Sequence, residues 1–318
     1  MATSTYKLTP WQQACYYAAF AAVYALSLLP LRVLYCLSDA TYMLVYHLVR
    51  YRRRLVERHL RESFPEKSPA ELRRTARAFY HWLCDFIFEN IKLFSASPEE
   101  MRRRMRFTNP GLLERYMKAG RGVILYLGHH ANWEWVSTIS LHMPPGFHAS
   151  QVYHVLENHV IDKLMLYPRS RMGNDNVAMH EVLRYIVANR NAGRTVGIGL
   201  IADQAPYWNN IGHWLTFLNH EQTPVLTGPE KLARRFDMVC LYLDMRRLRR
   251  GYYEAELHVV TDTPTADPPL QQTERYYQML ENTIRRDPAC YLWTHKRWKR
   301  TREQYDSMID PATGKLKF

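Results

Sequence analysis

Val123-Ile124-Leu125-Tyr126-Leu127-Gly128-His129-His130-Ala131-Asn132-Trp133-Glu134 is the stretch on which the reading of this chain turns. Its first five residues are an apolar, β-branched and aromatic run, closed by Gly128, which reads as a buried strand entering a loop. Open α/β sheets bind ligands outside the carboxyl ends of their strands. His129 and, five positions on, Glu134 fall there. In a loop entering a helix, the carboxylate can turn back on the imidazole, fix its tautomer and stabilise the imidazolium. Such a pair removes a proton from a hydroxyl as its oxygen attacks an acyl carbon. Asp203-Gln204 ends a second apolar strand, Thr195–Ile201, as His129 ends the first.

The pattern continues outward from this stretch. Phe147–His154, Met238–Met245, Glu254–Val260 and a short Tyr291–Trp293 read as strands. Asn132–Leu141, a segment through Leu164, His180–Asn189, Pro229–Arg235 and Thr273–Ile284 read as helices. Strands alternating with helices predict an α/β fold, a central mixed sheet flanked by helices. Upstream, Tyr51–Leu60 reads as a basic helix. The capping box Ser68-Pro69-Ala70-Glu71 opens another, and Ser97-Pro98 a third, so the chain is mostly helical to about residue 106.

With 318 residues, 47% apolar and 23% charged, the chain can bury a sizeable core. A net charge of +13 and a pI near 9.5 call for an anionic partner. The basic residues lie in scattered runs without a nucleic-acid-binding module, so nucleic acid is not expected. Five scattered cysteines without C-x-x-C spacing suit reduced thiols. Ala14–Leu31 carries no charge over about 18 residues, near the length of a spanning helix, and Thr41–Val49 is a second apolar segment. Arg32, Arg50, Arg52, Arg53, Arg54, Arg58 and Arg61 all lie on the C-terminal side of the first run. Residues 1–50 are therefore expected to form a membrane anchor with an interfacial helix, and 51–318 a single domain facing the cytoplasm from the inner membrane. No H-E-x-x-H, H-x-H or G-x-S-x-G occurs, so neither a metal nor a serine-hydrolase elbow is expected.

His129-His130-Ala131-Asn132-Trp133-Glu134 resembles the H-x-x-N-W-E signature of the bacterial lipid A late (lauroyl/myristoyl) acyltransferases. Other motifs agree in order. Arg58-His59-Leu60 to Ser63-Phe64-Pro65 resembles the family's N-L-x-x-x-F-P helix end, with His59 for asparagine. Ala202-Asp203-Gln204 resembles its A-D-Q, and Trp293–Lys299 its W-x-H-x-R-W-K. His154 stands where members often carry arginine. The resemblance implies an enzyme that moves a fatty acyl chain from acyl carrier protein to a hydroxyl of a lipid A precursor at the bilayer. The carrier thioester is a substrate, and no cofactor is implied. It implies His129 and Glu134 as the catalytic pair. Asp203, Asn132 and a downstream arginine, Arg171 in preference to Arg169, serve the substrate. Arg169, Arg171 and Arg297 suit phosphate contacts by their bidentate geometry.

Three other readings compete. One is an acyltransferase for another glycolipid or phospholipid, resembling those that act on mannosylated phosphatidylinositol or lysophosphatidate; the latter typically pair histidine with aspartate and carry an F-P-E-G-T-R-like block absent here. Another is a non-catalytic basic membrane-surface protein. The third is a soluble hydrolase in which the same base activates water.

Overall fold

The computed structural model describes residues 6–144, 148–310, 313 and 316–317. Among them the strands are β1 (Met105–Phe107), β2 (Val123–Leu127), β3 (His148–Tyr153), β4 (Asp175–Ala178), β5 (Val196–Ile201), β6 (His213–Phe217), β7 (His220–Val225), β8 (Val239–Arg249) and β9 (Tyr252–Thr261). Seven form a mixed sheet in the order β1-β9-β8-β2-β5-β3-β4, antiparallel only between β8 and β9. β6 and β7 form a separate hairpin. Phe147, expected at the start of β3, lies outside the described residues.

β2 sits at the centre, between β5 and β8, and is buried along its length. A parallel strand covered on both faces has no position for a polar side chain, which explains its sequence. Its side chains alternate between two cores. Ile124 and Tyr126 join Ile198, Cys240 and Tyr242 on one face; Val123, Leu125 and Leu127 join Val239, Leu241 and Leu243 on the other.

The helices are α1 (Pro10–Ser27), α2 (Leu31–Tyr42), α3 (Arg53–Ser63), α4 (Pro69–Lys92), α5 (Pro98–Arg104), α6 (Gly111–Lys118), α7 (His159–Ser170), α8 (Val182–Asn191), α9 (Gly228–Phe236), α10 (Gln271–Arg286) and α11 (Arg302–Ser307). Residues of α3, α4, α8, α9 and α10 pack on the Ile124 face; those of α5, α6 and the turn after Asn132 pack on the Val123 face. The expected capping box opens α4, where Ser68 and Glu71 satisfy each other's backbone N–H groups. The helix expected over Asn132–Leu141 is a 3₁₀ helix, Trp133–His142, with Asn132 as its cap. Ser137 and Thr138 turn their hydroxyls back to the carbonyls of Glu134 and Trp135, three residues earlier, at 2.7 Å each.

The expected spanning anchor is not found: among the described residues no single helix is long and apolar enough to cross a membrane. α1 stops at Ser27, Pro30 precedes α2, and the arm turns there by 110°. Pro30 lies inside the apolar run and cannot continue its hydrogen bonding. The end of α4 occupies the carbonyls that the break leaves open. Lys92 donates to Ser27 and Leu29 at 3.0 and 3.2 Å, and Ser95 to Ser27 at 2.7 Å. Beyond α2 the arm widens into a π-helical turn, Met43–Val49.

A buried carboxylate secures the arm. Asp85 on α4 accepts from Ser38 (2.7 Å), Arg247 (2.6 Å) and Arg250 (2.6 Å), and Arg250 also reaches Asp39 on α2 at 2.6 Å. Removing one member of a buried charge cluster leaves the others desolvated without compensation. Asp85→Ala is expected to lower the unfolding free energy by about 3 kcal/mol, read from denaturant midpoints. Asp85→Asn, which keeps the acceptor oxygen, should cost less.

Candidate active site

Strand register brings the principal residues together. Leu127 of β2 is paired in parallel with Ile201 of β5. Two residues beyond each partner come His129 and Asp203. The Asp203 carboxylate, buried at 1% exposure, accepts the backbone N–H of His129 at 2.9 Å and faces its Nδ1 at 2.6 Å. An ionised carboxylate only accepts, so Nδ1 carries the ring proton and Nε2 presents its lone pair. The Gln204 amide donates to Nε2 at 3.2 Å, and the Trp133 ring stands edge-on at 5.0 Å. Burial acts to raise the Asp203 pKa, but the His129 contacts and the charge of Arg297 outweigh it, and the carboxyl lies below its ordinary range.

The loop is held by backbone from the far end of the chain. Ala131 donates to the Cys290 carbonyl at 2.8 Å, Leu292 donates to that of His129 at 3.1 Å, and His130 bridges Tyr291. This contact is what remains of the short strand expected at Tyr291–Trp293. Ala131 has φ of 53°, a left-handed conformation that non-glycine residues rarely adopt. A side chain at Gly128 would press into Leu280 of α10, so glycine is needed where that helix approaches.

The other expected residues are placed differently. Glu134 does not orient the ring; the carboxylate on Nδ1 is Asp203. Both Glu134 oxygens are taken by Arg169, through Nε at 2.7 Å and Nη2 at 2.6 Å. The 3₁₀ turn after Asn132 directs Glu134 toward α7 instead of back across the loop. Burial acts to raise its pKa, and the Arg169 guanidinium reverses this, so the carboxyl lies below its ordinary range. Arg171 is the C-cap of α7 and donates from Nη1 to the carbonyls of Leu93 and Ala96 at 2.6 and 3.1 Å.

Asn132 is wholly buried. Its Oδ1 caps the 3₁₀ turn through the Trp135 N–H at 3.3 Å, and its Nδ2 donates to Glu89 at 2.8 Å. Arg297 is 1% exposed. It donates from Nη2 to the Pro224 carbonyl at 2.9 Å, while Nε and Nη1 have no hydrogen-bond partner among the described residues.

Gln204, Glu89 and the Cys290–Leu292 backbone belong to this site without a motif in the sequence that assigns them a role in it. Gln204 had a signal, since it follows Asp203 at a strand end. Glu89 sits in a helix whose pattern predicts a plain core stripe.

His129 and Asp203 form a histidine–aspartate pair at the carboxyl edge of the mixed sheet, an arrangement of α/β enzymes suited to proton removal from a hydroxyl. A profile of the bacterial lipid A biosynthesis acyltransferases matches residues 3–300, and the chain belongs to that family. No curated protein matches it.

The ionisable groups set the acid limb of stability. Burial holds His59, His220 and His295 neutral with pKa values of about 4. Below about pH 6.5 the unfolded chain therefore takes up protons that the folded chain refuses, and stability falls as pH drops toward 4. Glu134 and Asp203 have the opposite charge and the same consequence. Their depressed folded pKa values add stability that is complete above about pH 4 and is lost as pH falls through those values. Denaturant titrations from pH 8 to pH 4 are expected to show a steady decline in midpoint beginning near 6.5.

Proposed function

We propose that this chain transfers a fatty acyl group from an acyl carrier protein thioester to a hydroxyl of a lipid A precursor at the cytoplasmic face of the bacterial inner membrane. Family membership supports the reaction class. The observation that carries the mechanism is the 2.6 Å contact between His129 Nδ1 and Asp203, which leaves Nε2 as the acceptor.

In this reading the acceptor hydroxyl displaces the Gln204 amide from Nε2. Nε2 takes the hydroxyl proton as the oxygen attacks the thioester carbon. The tetrahedral intermediate collapses, its C–S bond breaks, and the imidazolium returns the proton to the departing sulfur. The products are an ester and a free thiol. Asp203 holds the ring and stabilises its cation. Glu134, locked by Arg169, adds a fixed negative charge near the ring and shapes the wall beside it.

Transfer is direct, within a ternary complex. Cys84, Cys240 and Cys290 are buried, and burial raises the pKa of each thiol, the reverse of an activated nucleophile. The bent arm supplies the membrane seat. Trp11, Leu28, Leu48 and Val49 are each at least 60% exposed, and Met43 and Leu44 stand beside the last two. An apolar face of this kind lies in the bilayer interface without crossing it.

His129→Ala is expected to reduce transfer by about 10²–10⁴-fold and Asp203→Asn by about 10³–10⁴-fold, with donor binding little changed, in an assay following radiolabelled acyl groups. An acyl-protein trapped with donor alone would refute the direct route. Leu44→Glu/Leu48→Glu is expected to weaken flotation with anionic vesicles at least about tenfold, since each buried leucine contributes roughly 1.5 kcal/mol. Unchanged flotation would remove the arm from the interface.

A further inference from the structure

α3, β7 and the segment after Trp293 enclose an open pocket of about 550 Å³. Its walls carry Arg58, Lys296, Lys299 and Arg300 against Glu62 and Glu221. None of these four cations makes an ion pair among the described residues, whereas Arg302 at the rim is matched by Asp306 at 2.8 Å. Arg300 turns one face to Tyr207 and Trp208, at 5.6 and 5.3 Å, and its Nε and Nη1 are shielded from water without a partner among the described residues. Buried donors of this kind are normally satisfied. Partial burial, Arg300 and Lys296 together lower the Lys299 pKa. The floor is aromatic and uncharged: Trp298 stacks on His220 at 3.8 Å and meets His59 edge-on at 4.9 Å.

The pocket adjoins both working parts of the molecule. Arg52, at the end of the apolar arm, donates to the Thr294 carbonyl at 2.7 Å. Leu292 is bonded to the His129 carbonyl at 3.1 Å, and the chain from Leu292 to Lys299 spans at most about 25 Å. A ligand with chains along the arm and a hydroxyl at His129 would have its headgroup near these cations.

We propose that this pocket is an anion subsite that holds a sugar phosphate of the acyl acceptor. The proposal rests on the acyl-transfer reading for its acceptor. A sugar phosphate fits better than an acidic protein surface. The cations line a concavity, and about 300–1,000 Å³ is the usual size of a small-molecule site. Guanidinium and ammonium groups without carboxylate partners are suited to phosphate oxygens.

The test uses the full chain with a phosphorylated glucosamine-disaccharide lipid as acceptor, and the same lipid after phosphatase treatment. Lys299→Ala/Arg300→Ala is expected to raise the acceptor KM at least tenfold while kcat falls less than threefold. The phosphatase-treated acceptor should narrow the gap between variant and parent to under threefold. Arg58→Gln, on a separate helix, should act in the same direction, and Lys299→Arg/Arg300→Lys should restore most of the loss. An unchanged acceptor KM overturns the proposal. So does a rise confined to the carrier-thioester KM, which would assign the pocket to the donor protein.

Calorimetry with glucosamine 6-phosphate, and flotation with phosphatidylglycerol vesicles, separate a sugar phosphate from the bulk bilayer. Loss of flotation with unchanged sugar-phosphate binding also overturns the proposal. Should the parent chain transfer no acyl group to any acceptor, the functional reading fails, and calorimetry still decides the pocket. Sugar-phosphate binding that the double variant loses supports it; no binding to the parent refutes it.

Discussion

The parallel pairing of β2 with β5 is the constraint on which the rest of the molecule depends. It fixes Leu127 beside Ile201, and two residues later it sets an imidazole against a carboxylate. No loop has to find this geometry by itself. The sheet is buried on both faces, and a slip of one residue would turn every side chain of β2 into the wrong core. The cost of misregister therefore protects the placement of His129 as strictly as it protects the core. What the loop adds is the left-handed Ala131 and the backbone bonds to Cys290 and Leu292, which fix the ring's approach.

Around this pairing the structure uses buried charge to join elements that hydrophobic packing alone would leave free to slide. Glu89, in the last turn of α4, accepts from Asn132 at 2.8 Å and from Tyr253 on β9 at 2.7 Å, tying the site loop to the sheet. Burial raises its pKa despite these donors. Asp85, one turn earlier, ties the arm to the β8–β9 turn. Glu134 and Arg169 tie the 3₁₀ turn to α7. Such pairs contribute little net stability, because desolvation offsets most of their attraction. They are geometrically demanding, however, and each demands a geometry at a point where position matters to the site.

Much of this was legible in the sequence. The two strand ends, with His129 on one and Asp203 on the other, are visible as apolar runs that stop at polar residues. Their partnership was not, because sequence order does not give strand order: β3 and β4 lie between β2 and β5 along the chain, yet β2 and β5 are neighbours. Proximity in sequence therefore favoured Glu134 as the partner of His129, and the 3₁₀ turn sends it elsewhere. Pro30 did signal the break in the apolar arm, but composition over the whole run concealed it. β1 was hidden because only Met105 and Phe107 point inward, among arginines that read as a solvated face. The β6–β7 hairpin was hidden because Pro224 lies within it and its turn uses left-handed Leu218 and Asn219 in place of glycine.

The fastened elbow at Ser27–Leu29 has a consequence for how the molecule meets its substrate. With its carbonyls held by Lys92 and Ser95, α1 cannot swing independently of α4, which carries Glu89 and, through Asn132, the loop of His129. On the proposed interfacial seating, a protein held on a bilayer by so stiff a bracket would ride at a constant altitude. It would choose among hydroxyls by their depth below the lipid surface, a selection made by carpentry before any chemical recognition begins.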